Sequence, residues 1–405
     1  MILKSLLICV TLFNLIICFP VYADEELIEE GLTETEIRET SAQVEEEPNL
    51  NSRAAIIYDK DTDMILYEKN AFEKRAMAST TKIMTAIVVL EQGELNDCVT
   101  VSKKAANTGG SRLGLKSGDK ISVHDLLYGL MLKSGNDTAV ALAEYIAGDL
   151  QEFSKRMNEK ATKLNLNNTN FVTPHGLDDD NHYTTAYELA CLTDYALQNK
   201  KFEEIVRTGS YTVTINGNPR TISNTNELLG YLSGVNGVKT GFTNNAGRCL
   251  VTSSVRGNQS IITVVLGADT KKFRTMDSIK LVEYAYANFE KINIEEKIKF
   301  EFDKWKKSNE GEIRVNKGVL GNISIKLEEV EKKIISVRKD RINTLEIRIS
   351  SVNNFEAPLR EGEIIGTVRV LLKNEVIANV NIINTRKIEK KNTTNYFTQL
   401  IKDII

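Results

Sequence analysis

The stretch Ala78-Ser-Thr-Thr-Lys-Ile-Met-Thr-Ala-Ile-Val-Val-Leu90 carries one Ser and one Lys immediately before a run of apolar residues. From Ile83 onwards the run is apolar on every face of a helix, which is typical of a helix buried in a protein core. Residues three apart lie on one helical face, with Cβ atoms about 5–6 Å apart. The stretch therefore predicts a buried helix that opens with the hydroxyl of Ser79 beside the amine of Lys82.

This Ser-x-x-Lys pair has the spacing of a nucleophile and its base. Burial and nearby positive charge favour a neutral lysine, which can take the proton of the serine. The start of a helix also favours a developing anion, because N–H groups and the helix dipole point there. The same spacing recurs in Ser117-Gly-Asp-Lys120, a glycine-rich turn, and in Ser336-Val-Arg-Lys339, a strand-like segment. Neither places both side chains on one helical face, so Ser79 and Lys82 are the predicted pair.

Two further motifs follow along the chain. Ser134-Gly-Asn136 falls between two predicted helices, where its Ser could relay a proton and its Asn could hold an amide; the same residues would also suit a helix cap. Lys239-Thr-Gly241 occurs once. Its Lys adds positive charge that favours a neutral base, its Thr offers a hydroxyl to an anion, and its Gly lets a substrate lie along a strand edge. The alternative for this motif is a turn at the start of a strand.

The three motifs, in this order, form the set found in penicillin-recognising acyltransferases. The chain resembles the low-molecular-mass penicillin-binding D-alanyl-D-alanine carboxypeptidases, and the likeness covers nearly everything from Arg53 to Asn384. Besides the three motifs, it rests on Pro174-His-Gly-Leu177, Val238-Lys-Thr-Gly-Phe-Thr243, Ala246-Gly247 and Ala357-Pro-Leu-Arg-Glu-Gly-Glu-Ile-Ile-Gly366. One difference is Asp63, where a Gly is usual in the first hairpin, and it affects only the turn type.

The resemblance implies a mechanism. Lys82 deprotonates Ser79, which attacks the carbonyl of the penultimate D-Ala of a peptidoglycan stem peptide. The backbone N–H groups of Ser79 and Phe242 form the oxyanion hole, and Ser134 passes a proton to the leaving D-Ala. Water then hydrolyses the acyl-enzyme, and β-lactam antibiotics are expected to acylate the same serine. The implied substrate-binding residues are Asn136, Lys239, Thr240, Gly241 and Arg274, of which Thr240 and Arg274 hold the terminal carboxylate. No cofactor, metal or nucleic acid is expected.

The apolar patterns predict two domains. An early hairpin (Ala54–Tyr58 and Met64–Tyr67), several helices and late strands predict an α/β (α+β) domain at 51–290, with an antiparallel sheet and a helical core. The resemblance makes this domain similar to penicillin-binding transpeptidases and β-lactamases. Period-two segments then predict a small all-β domain at 291–385. The predicted helices are Ile83–Leu90, His124–Leu132, Thr138–Ala147, Thr185–Leu197 and Asp277–Phe289.

The first 50 residues are predicted to lie outside both domains. Residues 1–23 have a positive start, an apolar run from Leu6 to Phe19 and small residues at Val21 and Ala23, which is typical of a signal peptide. The run of 14 residues is shorter than the ~20 that span a bilayer. Residues 24–50 hold eleven acidic residues and one Arg, and are predicted to be a disordered linker. The rest of the chain carries 50 basic and 44 acidic residues, a balance that suits work near anionic polymers.

The last 20 residues, 386–405, are predicted to form a basic amphipathic helix that binds the outer face of the membrane. Apolar residues fill one half of the helical wheel and polar residues the other. The alternative is a helix packed on the β domain. The apolar half holds Tyr396, Phe397, Leu400, Ile401, Ile404 and Ile405, and the basic residues upstream are Arg386, Lys387, Lys390 and Lys391.

Rival functions have less support in the sequence. A class A β-lactamase needs Glu-x-x-Leu-Asn, but Ala161 stands where that Glu would precede Leu164-Asn165. A cross-wall endopeptidase of the same superfamily typically lacks the appended β domain. A non-catalytic peptidoglycan-binding protein would not need the intact motifs. No Gly-x-Ser-x-Gly or His-Glu-x-x-His motif is present.

Overall fold

The computed structural model describes residues 30–44 and 46–404, so the predicted signal peptide at 1–23 lies outside the described residues. The helices are α1 (Glu34–Ser41), α2 (Lys82–Gln92), α3 (Lys103–Ala106), α4 (Val123–Leu132), α5 (Asn136–Ala147), α6 (Leu150–Lys163), α7 (Ala186–Leu197), α8 (Lys200–Arg207), α9 (Lys271–Asn288), α10 (Ile294–Asn309) and α11 (Thr393–Ile404). The first nine strands are β1 (Ala54–Asp59), β2 (Met64–Lys69), β3 (Cys98–Thr100), β4 (Lys120–Ser122), β5 (Ser210–Ile215), β6 (Asn218–Ser223), β7 (Val235–Thr243), β8 (Gly247–Arg256) and β9 (Gln259–Ala268). The other eight are β10 (Phe289–Asn293), β11 (Arg314–Asn316), β12 (Ile325–Leu327), β13 (Ile334–Arg338), β14 (Leu345–Ser351), β15 (Asn354–Glu356), β16 (Ile364–Leu372) and β17 (Glu375–Asn384).

The first domain is built on a five-stranded antiparallel sheet in the order β2-β1-β9-β8-β7. Strand β1 is buried along its whole length. Alternate side chains of a strand point to opposite faces, and both faces of this strand are covered. Ile56 packs into the helical core with residues of α2, whereas Ile57 packs on the other face with residues of α9. The sheet therefore lies between two apolar layers, and β7 stands at its edge.

The helical layer positions the candidate site. Helix α2 is buried from Lys82 to Val89 and contacts α4, α5, α6 and α7, as expected for a helix that is apolar on every face. The start of α2 is preceded by the 3-10 turn Ala78–Thr81, which contacts the edge strand β7. The loop between α4 and α5 holds Ser134. All three motifs therefore meet where the helical layer reaches the edge of the sheet.

The second domain is a β domain, as predicted. Its four-stranded antiparallel sheet has the order β12-β17-β16-β14, and two short pairs, β10-β13 and β11-β15, accompany it. Its core includes Val368, Val370 and Ile382 of that sheet. The domain also contains a helix that the period-two pattern did not predict, α10, which buries Ile298 and Phe302 in the same core.

The acidic segment differs from its prediction as a disordered linker. Residues 34–41 form helix α1, whose Ile37 is buried against α9 and its neighbours. Thr33 and Glu36 form a capping box, in which each side chain binds the backbone N–H of the other. The prediction of disorder is therefore wrong for residues 34–41. The acidic composition favoured a prediction of disorder, although the segment contains the apolar Ile37 and the capping residues Thr33 and Glu36.

The tail forms helix α11, within the residues predicted to be helical. Tyr396, Phe397, Leu400 and Ile401 on this helix are all exposed. Across residues 30–44 and 46–404, no helix is both long and apolar enough to span a bilayer.

Candidate active site

Ser79 lies in a tight turn rather than in the first turn of an α-helix. The 3-10 segment Ala78–Thr81 leads directly into α2, so the hydroxyl still stands at the N-terminal end of that helix. Ala78 has a φ of 47°, in the left-handed region that residues other than glycine rarely adopt. Ser79 is 7% exposed. Its turn is therefore strained, largely buried and open on one side.

Lys82 is fully buried beside Ser79. Its Nζ lies 2.8 Å from Ser79 Oγ, 2.7 Å from Asn136 Oδ1 and 2.9 Å from the carbonyl oxygen of His175. Asn136 Nδ2 donates to the carbonyl of Gly109 at 2.8 Å, and this bond fixes the amide so that its oxygen faces the lysine. Of these three partners, two are pure acceptors, and the Ser79 hydroxyl is the one with a proton to give.

The second motif forms the loop between α4 and α5. Ser134 has a φ of 57° and is 1% exposed, and among the described residues its Oγ has no hydrogen-bond partner. Asn136 is the first residue of α5, and its N–H donates to the carbonyl of Ser111 at 2.7 Å. The loop therefore brings Asn136 onto Lys82 and holds Ser134 buried, so the role of Ser134 as a proton relay stays a prediction.

Asp137 supports this loop, although its role was not predicted. Its carboxylate accepts from the N–H groups of Leu113, Gly114 and Leu115 at 2.9, 2.7 and 3.0 Å. A buried carboxylate that accepts several backbone N–H bonds holds a loop firmly. The segment that binds Asn136 through Gly109 and Ser111 is therefore also bound to α5 through Asp137.

The third motif lies on the edge strand β7, next to the Ser79 turn. A Cβ added at Gly241 would lie 3.1 Å from the backbone N of Ser79 and 3.2 Å from Ala78 Cβ. Glycine therefore allows the strand to approach the turn closely. Lys239 and Thr240 are both 1% exposed; Lys239 Nζ donates to the carbonyl of Thr240 at 3.0 Å.

Contacts on either side of the motif fix the end of β7. Thr240 Oγ1 shares a 2.7 Å hydrogen bond with Thr225 Oγ1. Phe242 packs under the guanidinium of Arg248 on β8, with 3.6 Å between the guanidinium carbon and the ring centroid. Thr243 Oγ1 donates to Asp178 at 2.5 Å. The backbone of Phe242 is therefore held between two anchored neighbours.

Arg274 lies on α9 and is the predicted site residue whose placement fits its predicted role least directly. Its side chain is fully buried, and its guanidinium is 3.6 Å from the carboxylate of Glu227. Glu227 is also held by Lys271 at 2.5 Å and by the hydroxyl of Thr275 at 3.1 Å. Arg274 exposes no surface to a substrate in this conformation, so its role at the terminal carboxylate stays a prediction.

Two of the three histidines stand behind the nucleophile turn. Burial, with a smaller effect of the charge on Lys82, lowers the pKa of His175 to about 3. Burial likewise lowers the pKa of His182 to about 4. Both are therefore neutral near pH 7. No group of three or more His, Cys, Asp or Glu side chains in the described part of the chain could hold a metal ion.

The structure thus brings together Ser79, Lys82 and Asn136 by direct contact and sets Gly241 against the Ser79 backbone. The carbonyl of His175 was not predicted as a partner of Lys82, although Pro174-His-Gly-Leu177 is part of the resemblance. Roles for Thr225, Asp137 and Asp178 were not predicted either; Asp137 lies beside Ser134-Gly-Asn136, and Asp178 lies beside Leu177. A serine whose proton can pass to one buried lysine defines the class of serine hydrolases that use a lysine base.

Comparisons with known proteins agree with this class. The sequence profile described as D-alanyl-D-alanine carboxypeptidase matches residues 41–270, and that of the C-terminal domain of penicillin-binding protein 5 matches residues 300–390. The chain is 34% identical over 336 residues to D-alanyl-D-alanine carboxypeptidase DacF of Bacillus subtilis, covering 81% of this chain and 83% of that relative. It is 33% identical over 363 residues to DacC of Escherichia coli, covering 86% and 87%.

Solved structures show the same relationship. Penicillin-binding protein 5 from Haemophilus influenzae superimposes with a TM-score of 0.67 at 30% identity, covering 85% of this chain and 99% of the other. The Streptomyces K15 DD-transpeptidase superimposes with a TM-score of 0.57 at 36% identity, covering 60% of this chain and 99% of the other. The chain belongs to the serine-type, penicillin-binding D-alanyl-D-alanine carboxypeptidase family, and the predicted α+β domain with a following β domain is confirmed.

Proposed function

We propose that this chain removes the terminal D-Ala from peptidoglycan stem pentapeptides through an acyl-enzyme on Ser79, with Lys82 as the base. The three contacts of Lys82 Nζ carry the proposal. In a neutral amine, two N–H groups satisfy Asn136 Oδ1 and the carbonyl of His175. The lone pair is then left for the proton of Ser79, because neither of the other partners has a proton to give.

The attack by Ser79 requires donors for the developing oxyanion, and the backbone N–H groups of Ser79 and Phe242 are proposed for that task. The support is the close approach of β7 to the nucleophile turn at Gly241, one residue before Phe242. Donors fixed in place before the reaction stabilise an oxyanion without a reorganisation cost. The Arg248–Phe242 stack helps to hold one of them.

Departure of D-Ala requires a proton on its amine, and Ser134 is the proposed donor. Its buried Oγ has no hydrogen-bond partner among the described residues, so it is available to a substrate atom. Asn136 and Lys239 are proposed to position the peptide, and Thr240 with Arg274 to receive its terminal carboxylate. Water then completes hydrolysis. Since Ala161 replaces the glutamate of the lactamase motif, the acyl-enzyme formed with penicillin is expected to be long-lived.

The test is release of D-Ala from a pentapeptide ending in D-Ala-D-Ala, together with intact-protein mass spectrometry after penicillin treatment. The wild type should release D-Ala and gain one drug mass, and Ser79→Ala should do neither. Ser117→Ala is the matched control, because Ser117 has the same spacing from a lysine but lies in a turn; it should behave as the wild type. An adduct that survives Ser79→Ala would refute the assignment of the nucleophile.

We also propose that the enzyme acts on the outer face of the cytoplasmic membrane. The signal-like sequence at 1–23 supports secretion, and cleavage would follow Ala23. N-terminal sequencing of the protein recovered from outside the membrane should then begin at Asp24. A sequence that begins at Met1 would refute cleavage.

The tail is proposed to hold the enzyme at that surface, in the interface plane. Exposure of Phe397 at 65% and Leu400 at 60% supports an apolar face available to lipid. The basic residues upstream add about 1 kcal/mol each near an anionic leaflet. Phe397→Asp should weaken sedimentation with anionic vesicles, whereas Thr398→Asp, the same charge on the polar half, should weaken it much less. Equal binding by both variants and by a chain ending at Asn384 would refute the anchor.

A further inference from the structure

The side chain of His182 reaches the nucleophile turn from a separate loop. Its Nε2 lies 2.7 Å from Thr81 Oγ1, and both residues are buried. Its Nδ1 accepts from the N–H of Val172 at 2.9 Å. Because Nδ1 is an acceptor in the neutral ring, the proton resides on Nε2, and His182 donates to Thr81.

Thr81 passes this bond on to the residue before the nucleophile. Its hydroxyl accepts from His182 and donates to the carbonyl of Ala78 at 2.8 Å. Ala78 is the strained residue, with a φ of 47°, and its side chain has no polar group to support that conformation. The carbonyl is also covered by Gly176, where any Cβ would overlap it. Thr81, at a variable position of the Ser-x-x-Lys motif, and Gly176, on the separate loop, therefore both lie against the carbonyl of Ala78.

The same loop serves both reacting groups. His182 follows the Pro174–Leu177 segment, whose His175 carbonyl accepts from Lys82 Nζ at 2.9 Å. A displacement of this loop would thus move the base and the nucleophile turn together. Strained backbone persists only where the surroundings hold it, and such strain is concentrated at sites of chemistry.

We propose that His182 is a positioning residue for acylation: through Thr81 it fixes the Ala78 peptide and so holds Ser79 in line with Lys82. This inference rests on the proposed function, because it assumes that Ser79 is acylated. His182 touches neither reacting atom. Its effect should therefore appear in the rate of the chemical step rather than in the affinity for the ligand.

The test is the rate of covalent labelling by a fluorescent penicillin over a range of concentrations, which separates the acylation rate constant from the dissociation constant of the non-covalent complex. Thr81→Val should lower the acylation rate constant roughly 10- to 100-fold, since a misplacement well under 1 Å is costly in catalysis. His182→Phe, which keeps the ring edge against Phe171, should cause a similar loss. Thr81→Ser retains the hydroxyl and should keep most of the wild-type acylation rate constant.

Thr193→Val is the matched control. Thr193 lies on α7, is equally buried, and donates to the carbonyl of Leu189 in its own helix at 2.7 Å. It should keep acylation within about 3-fold of the wild type, since it does not contact the nucleophile turn. The double variant Thr81→Val with His182→Phe should be no slower than the slower single variant, because both act through one hydroxyl.

The outcomes separate this inference from the proposed function. A wild type that takes no label at Ser79 would overturn the proposed function itself. A labelled wild type, with Thr81→Val and Thr193→Val equally slowed, would overturn only the positioning role, because both would then be losses of a buried hydrogen bond. The positioning role also fails if the Thr81 and His182 variants lose affinity but keep the acylation rate constant.

Discussion

Lowering the pH from 7 to 5 is expected to destabilise the catalytic domain through His175 and His182. Burial lowers their pKa values in the folded protein to about 3 and about 4, from 6.5 in the unfolded chain. Between these values the unfolded chain binds more protons than the folded one, so protons drive unfolding. The stabilisation is complete above the unfolded pKa and is lost as pH falls through 6.5 towards the folded values.

The size of the loss at pH 5 follows from the unfolded pKa. Both histidines remain neutral in the folded protein at pH 5. For each histidine, the free energy of unfolding therefore falls by about 1.4 kcal/mol per pH unit over the 1.5 units below 6.5. Each residue then contributes a loss of about 2 kcal/mol, and the pair about 4 kcal/mol, which is a large share of a typical domain's stability. His182→Gln should remove about half of this pH-dependent loss, because glutamine does not titrate.

The measurement is urea unfolding at pH 7 and pH 5, followed by far-UV circular dichroism. This signal reports mainly on the helices of the first domain, whereas the single Trp305 reports on the second. Thr85→Val is the non-titrating control. Its free energy of unfolding should lie below that of the wild type by the same amount at both pH values. If His182→Gln and the wild type show the same difference between the two pH values, the reasoning is refuted for that residue.

Three other predictions concern the site. Lys82→Arg should slow acylation by penicillin roughly 1,000-fold or more although the charge is kept, because arginine cannot act as a base near neutral pH; near-wild-type labelling would show that another group takes the proton. Gly241→Ala should slow acylation roughly 10-fold by pushing β7 from the Ser79 turn; Gly209→Ala, whose Cβ would meet nothing within 4 Å, is its control, and equal rates for the two would contradict the close approach. Glu227→Gln should lower the KM of the pentapeptide with little change in kcat, because Arg274 would no longer be held by a carboxylate 3.6 Å away; a raised KM would show instead that Glu227 holds Arg274 in its working position.

Much of the fold was predictable because its apolar patterns are strong. The run from Ile83 to Leu90 is apolar on every helical face, which favours burial on every side, and the structure buries α2 as predicted. The first hairpin and strands β8 and β9 also follow their patterns. The short helix α3 and the longer helices α1, α6, α8 and α10 were not predicted. In the four longer helices, charged residues outweigh a few apolar anchors. In α1 the readable signal was Thr33-x-x-Glu36, a capping box that the acidic surroundings concealed.

The site was predictable only as far as side chains carry the chemistry. Of the three contacts described for Nζ, the spacing of Ser79 and Lys82 predicted one. The second was not predicted, because Asn136 was expected to hold a substrate amide. The third is the carbonyl of His175, and a backbone oxygen carries no residue signature. The Glu227–Arg274 contact was equally hidden, since the partners are 47 positions apart and neither belongs to a motif.

Backbone strain shows why the three motifs are not sufficient by themselves. Most of the described non-glycine residues with positive φ are Asn, Asp or Lys in turns, whereas Ala78 and Ser134 lie at the site. Such conformations cost about 1–3 kcal/mol each, and alanine has no side-chain polar group to support one. The support comes instead from Thr81 and Gly176 for Ala78, and for the Ser134 loop from backbone bonds made by its neighbours. Two hydroxyls with proposed roles in the reaction are thus placed by contacts that the three motif patterns do not specify. A chain that kept Ser-x-x-Lys, Ser-x-Asn and Lys-Thr-Gly but lost the loop behind Ala78 should therefore fold around the same core and acylate slowly.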